Sequence, residues 1–230
     1  MCQVFSFVDG QFKTPLENFI SSGTSNIANW VSGPLTAALT LYVVLYGYLV
    51  LRGSVQEPIL EFAFRAIKLA IIVMLVRNAS DYQTYVTNIF FDTLPREISQ
   101  ALNSGTTPSA STFDSLLDKG QKCAKEIWSR GSWPVDIVTG IGGLLVIGAS
   151  FLVAAIGYIV SLYARLALAI ILAIGPIFIA LAMFQPTRRF TESWIGQLVN
   201  FVILQVLVVA IGSLLITCID TTFTAIEAYS

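Results

Sequence analysis

The stretch DIVTGIGGLLVIGASFLVAAIGYIVSLYARLALAIILAIGPIFIALAMF (Asp136–Phe184) decides the fold. Its forty-nine residues carry two charges, Asp136 at the edge and Arg165. A bilayer core takes about 20 apolar residues per helix, so the run supplies two crossings. A lone Arg165 at their junction fits a helix end whose side chain snorkels to the headgroups. Gly175-Pro176 interrupts the second half, because proline removes a backbone donor and kinks a helix. The basic and aromatic QPTRRFTESW follows, then a charge-free run from Ile195 to Ile219. The expectation is an all-α integral membrane protein, a polytopic helix bundle with about five hydrophobic segments.

Composition agrees. The 230-residue chain is 55% hydrophobic and 12% charged, where an average soluble domain is roughly 25% charged. A net charge of −1 leaves no basic footprint for nucleic acid, and the absence of histidine removes the commonest acid/base and metal-binding side chain. No Gly-rich phosphate loop, intramembrane carboxylate pair or nucleophile–base arrangement is present, so no catalytic, metal or cofactor residue is expected. The opening MCQVFSFVDGQFK lacks a positive n-region followed by an apolar h-region, and no cleavable signal peptide is expected. Cys2, Cys123 and Cys218 form no zinc or redox motif. They read as three thiols, with a Cys2–Cys123 pair in an oxidising compartment as the alternative.

Outward from the central run, the chain divides into five stretches. Residues 1–30 form an N-terminal amphipathic segment, with Phe12, Leu16, Phe19, Ile20, Gly23, Ile27 and Trp30 at helical spacing and Trp30 as a headgroup-level anchor. Residues 31–76 hold the first two membrane segments. Val31–Leu51 is free of charge, with Gly33-Pro34 in its first turn and Arg52-Gly53 at its end. The next begins near Pro58 and carries Glu57, Glu61, Arg65 and Lys68 as one polar stripe. That stripe either lines a pore, meets a partner or satisfies itself at the interface.

Residues 77–136 form a helical extramembrane insertion. One stripe runs Tyr82, Tyr85, Val86, Ile89, Phe90, Leu94, Ile98, Leu102 and is interrupted by Pro95; Asn103–Thr112 is a loop by composition. A second amphipathic piece, capped at Ser111 or Thr112 and stopped at Gly131, carries Phe113, Leu116, Leu117 and Ile127 as candidates for partner contact. Residues 137–219 hold three C-terminal membrane segments, and 220–230 a short tail. Ser150/Ala154 and Gly157/Ser161 allow close helix approach in lipid. Asn200 and Gln205 are deep amides that want partners across a helix interface.

Topology stays open at this point. With Leu166–Phe184 crossing fully and the N-terminus outside, short loops hold four cations on each side. With a re-entrant turn at Gly175-Pro176 the tally is six inside against two.

The region LALAIILAIGPIFIALAMFQPTRRFTESWIGQLVNFVILQVL (Leu166–Leu207) resembles the polytopic inner-membrane subunit of type IV secretion systems, the TrbL and VirB-six family. The shared features are an apolar helix ending Gly-Pro-Ile-Phe, a basic break with Phe190, and Trp194 leading into a helix with Gln and Asn. LYGYLVLRGSV and EPILEFAFRAIKLAIIV agree more loosely, and the central interval least. The resemblance implies residence in the bacterial inner membrane, with the N-terminus and the central insertion, residues 77–136, in the periplasm. It implies several copies at the base of a periplasmic stalk, contact with a minor pilin and with other inner-membrane and periplasmic subunits, and a part in the passage of DNA or protein. Trp194, with Arg188 and Arg189, would organise the membrane boundary and subunit contacts, beside membrane lipid. The competing reading is a stand-alone small channel or transporter. The helix break supports it, and the scarcity of buried charge and the lack of an internal repeat oppose it.

Overall fold

The computed structural model describes residues 3–53, 59–102, 110–129 and 137–228. Among these there is no strand. The helices are α1 (Val4–Leu51), α2 (Ile59–Arg77), α3 (Ala79–Tyr82), α4 (Leu94–Leu102), α5 (Ala110–Ser129), α6 (Ile137–Ala173), α7 (Gly175–Leu181) and α8 (Arg188–Ala228). Two π-helical turns, Gln83–Thr87 and Ile89–Thr93, link α3 to α4, and a 3₁₀ turn, Gln185–Thr187, precedes α8. Among the described residues, three stretches are long and apolar enough to cross a bilayer: Val4–Leu51, Gly140–Ala173 and Gln185–Ile219. The remaining apolar segments are α2, which carries Glu61, Arg65 and Lys68, and the short α7.

Several boundaries differ from the sequence expectation. The amphipathic 11–30 segment and the first crossing are one 48-residue helix, α1. Pro34 therefore lies inside a helix instead of opening one, which membrane helices tolerate. Gly53 does end that helix, at φ 73°, where a residue with a Cβ is disfavoured. The expected junction at Arg165 is also absent. α6 runs unbroken through it for 37 residues, about 55 Å at 1.5 Å per residue. The insertion's second helix starts at Ala110, so Ser111 and Thr112 are helical; residues 103–109, Gly131, Glu57 and Cys2 lie outside the described residues. Cys123 is a buried thiol and Cys218 an exposed one.

The chain forms two compact units, and their boundaries fall inside α1, the second π-helical turn, α6 and α8. The first comprises Met1–Pro15, Thr93–Ala167 and Phe201–Ser230. Its core is a cluster of Phe5, Phe113 and Tyr158, with ring centroids 4.9 Å apart for Phe5–Tyr158 and 6.1 Å for Phe113–Tyr158. Leu116 and Leu117 are buried with them. These apolar faces of α5, expected to meet a partner, are thus spent on the chain's own packing; Ile127 is half-buried.

Charge is used in the same unit to fix the start of α1. The first-turn amides of a helix have no partner within it. Here the Phe5 and Ser6 N–H groups each donate to Asp114 of α5 at 2.9 Å, and the Ser6 hydroxyl donates to the same carboxylate at 2.5 Å. A carboxylate at this position also complements the helix dipole. Arg165 does not snorkel: its Nη1 donates to Asp9 at 2.6 Å in a mostly buried ion pair.

Asp114→Ala strips the first turn of α1 of its distant cap. The expected loss is about 1–2 kcal/mol, read as a drop of several degrees in the unfolding midpoint of the detergent-solubilised protein. An unchanged midpoint would show that α1 is fixed by other contacts.

Candidate functional site

The second unit comprises Leu16–Asp92 and Leu168–Asn200, and its centre is the interruption at Gly175-Pro176. In a continuous helix the Pro176 N–H would donate to Leu172 O, but proline has no N–H. Leu172 and Pro176 are buried, so water does not replace it. The structure supplies side chains instead. The Tyr82 hydroxyl donates to Leu172 O at 2.7 Å, the Trp194 Nε1–H to Ile171 O at 3.0 Å, and the Thr191 hydroxyl to Phe178 O at 2.6 Å. Past the end of α7, the Thr187 hydroxyl donates to Leu181 O at 2.5 Å. Four carbonyls around one break are thus bonded by donors from elsewhere in the fold.

Packing holds these donors in place. Tyr82 is fully buried, and burial pushes its phenol above the ordinary tyrosine range, so it keeps its proton and remains a donor. Trp194 stacks on Phe178 with centroids 6.0 Å apart and planes 9° from parallel. Gly175 faces both. A Cβ there would fall on the Tyr82 hydroxyl and 2.8 Å from Trp194 Cζ2. Glycine is required by space, next to the proline that creates the need for donors.

Of the residues singled out by sequence, Gly175, Pro176 and Trp194 meet at this site. Trp194 is 6% exposed, so the contacts it makes are with its own chain instead of a membrane boundary. Trp30 is 71% exposed. Arg188 and Arg189 are exposed at the start of α8, where Arg188 Nε lies 2.9 Å from Glu192 Oε1. Gln205 is buried, while Asn200 presents its amide at the surface of α8. Tyr82 and Thr191 were not picked out. Tyr82 had been assigned to an extramembrane stripe, and no local signal in the chain ties it to a proline some ninety positions later.

The chemistry of the site is structural. The carbonyls exposed by a broken helix coordinate ions in many transporters, but those of Ile171, Leu172 and Phe178 already accept from Trp194, Tyr82 and Thr191. No group of three or more Cys, Asp or Glu capable of holding a metal occurs among the described residues.

Tyr82→Phe leaves Leu172 O without its donor at nearly constant volume and is expected to cost about 1–3 kcal/mol. Trp194→Ala loses both stacking and donor, about 3–5 kcal/mol, with reduced accumulation in the membrane. Denaturant titration of the purified variants checks both values, and wild-type midpoints would remove the capping role.

The TrbL/VirB6 plasmid conjugal transfer protein family matches residues 39–230, which include every residue of the capped break. The chain is similar to the type IV secretion system protein VirB6 of Bartonella henselae, 36% identical over 211 residues that cover 92% of this chain and 65% of that protein. It is 27% identical over 223 residues to the type IV secretion system protein VirB6 of Brucella abortus, covering 92% of this chain and 63% of that one. To the protein VirB6 of Agrobacterium fabrum it is 29% identical over 228 residues, 96% and 73% of the two chains. The chain thus spans about two thirds of the length of the curated relatives it matches.

Proposed function

Because the chain belongs to the TrbL/VirB6 family, we propose that it is a multi-pass inner-membrane component of a type IV secretion system. In this reading several copies form a base for the periplasmic stalk or pilus and contribute to passage of DNA or protein. The insertion around α5 faces the periplasm, where it meets other secretion subunits, a minor pilin among them. The role is one of scaffold and conduit, without chemistry of its own.

The observation that carries the reading is the capped break. A helix interruption inside the family match is sealed by the chain's own side chains, which suits a rigid element of an assembly. Contact with other copies and subunits then falls to exposed groups. Trp30, Arg188, Arg189 and the outward amide of Asn200 are the residues proposed for it, and the apolar face of α5 is not.

Two tests follow. Arg189→Glu reverses an exposed charge without touching the core, so the variant is expected to accumulate normally while secretion falls at least several-fold. Normal secretion would remove Arg189 from the contact surface. A photo-crosslinking residue at Lys125, exposed on α5, is expected to capture a pilin-like or other periplasmic component in intact cells. Capture of cytoplasmic proteins would invert the topology, and capture of nothing beyond the chain itself would favour the stand-alone channel.

A further inference from the structure

In the first unit α5 packs lengthwise along α6 through three close approaches. A Cβ on Gly143 would fall on the Trp128 indole, one on Gly120 on the Ser150 side chain, and one on Gly157 2.7 Å from Phe113 Cε1. Positions rise along α6 as they fall along α5, so the two helices run antiparallel. Beside the Phe113 end, a Cβ on Gly212 of α8 would stand 3.5 Å from Thr112 Cγ2. All of these points on α6 and α8 lie within stretches long and apolar enough to cross a bilayer. α5, with 20 residues, is itself about 30 Å long, the thickness of a bilayer core.

At one height the outward sides of these helices differ. Between Gly143 and Gly157, α6 turns out Leu144, Leu145, Phe151, Leu152 and Ile156, and beside Gly212 α8 turns out Ile211 and Leu214. Over the same height α5 turns out Ser115, Lys122, Lys125 and Glu126, with Asp118 and Lys119 half-buried. Large apolar side chains left bare on a spanning helix suit lipid tails. Charged ones at membrane depth face a bundle interior or a water-filled cavity, and pairing between neighbours does not make them suit hydrocarbon. Lysine can snorkel away, but Ser115 and Asp118 are short and lie between the Phe113–Gly157 and Gly120–Ser150 contacts, towards the middle of Gly140–Ala173. Lys, Glu, Asp and Ser are also the side chains that protein interfaces disfavour, which favours water over a partner. We propose that the polar face of α5 lines a water-filled vestibule at the depth of the bilayer, with α6 and α8 as the wall between water and lipid. The vestibule rests on membrane residence and not on the secretion role.

The test labels single cysteines with a charged, membrane-impermeant methanethiosulfonate in membranes opened to both sides. The full chain carries Cys2→Ser and Cys218→Ser, and labelling of the remaining buried Cys123 is the baseline. Ser115→Cys is compared with Leu152→Cys, and Lys122→Cys with Leu145→Cys, each pair at similar height. Thiols react as thiolates, which apolar surroundings suppress, so each α5 position is expected to label at least about tenfold faster than its α6 counterpart. Labelling on α5 as slow as on α6 would overturn the vestibule, whether lipid or protein covers the face. Equally fast labelling of all four would also overturn it, by placing the outer side of α6 in water. Should a member of one pair fail to accumulate, the other pair decides. The labelling needs no secretion, so its outcome is separate from that of the secretion assays.

Discussion

A buried backbone carbonyl must find a donor within the protein, and this constraint governs the environment of Gly175-Pro176. Proline takes away one N–H, and the change of helix at Ile174 disturbs its neighbours; the Ile174 N–H still reaches Ile170 O, but at 3.3 Å. An unsatisfied polar group costs several kcal/mol where no water reaches it. Tyr82, Trp194 and Thr191 offset that cost together, and each brings a consequence. Tyr82 fixes the residues after α2 to the end of α6. Trp194 and Thr191 fix the start of α8 to the same point. One missing hydrogen thereby sets the positions of three chain segments within its unit.

Lipid as a solvent inverts the usual reading of helical faces. Along α1 from Leu16 onward the buried positions are Leu16, Ile20, Thr24, Ala28, Val31 and Leu35, whereas Phe19 and Trp30 point outward. Water would force the large apolar groups inside. Lipid tails are as apolar as leucine, so large apolar groups can face outward, and between helices the gain comes from close approach. Gly23 shows the limit of that approach, since a Cβ there would sit 3.1 Å from Ala173 Cβ.

This inversion explains what the sequence could and could not disclose. Helical class, membrane residence and the Gly175-Pro176 break were legible, because apolar length and proline chemistry are local properties. The end of α1 at Gly53 was legible for the same reason. The continuity of α1 and α6 was not. A charge such as Arg165 marks a helix end only when water must solvate it, and here Asp9, 156 residues away, does so. Nor was the burial of Trp194 legible: tryptophan beside arginines has the composition of an interfacial anchor, but its indole N–H was needed by Ile171 O. Tyr82 and Asp114 were invisible for one common reason. Each answers an unpaired backbone group that lies far away in the chain and only the fold brings near.

A break whose carbonyls are already bonded behaves differently from one that waits for a ligand. A carbonyl has two lone pairs, so those of Ile171 and Leu172 would either share a ligand with Trp194 and Tyr82 or give up a satisfied internal bond to bind one. An assembly element gains from the same arrangement, since a sealed kink sets the directions of α7 and α8 without leaving polar groups for lipid to meet. In the assembly proposed here, contact falls to outward groups, the exposed amide of Asn200 among them. An amide facing hydrocarbon is costly alone and is relieved by a polar partner on another helix, so an outward amide is suited to meet one.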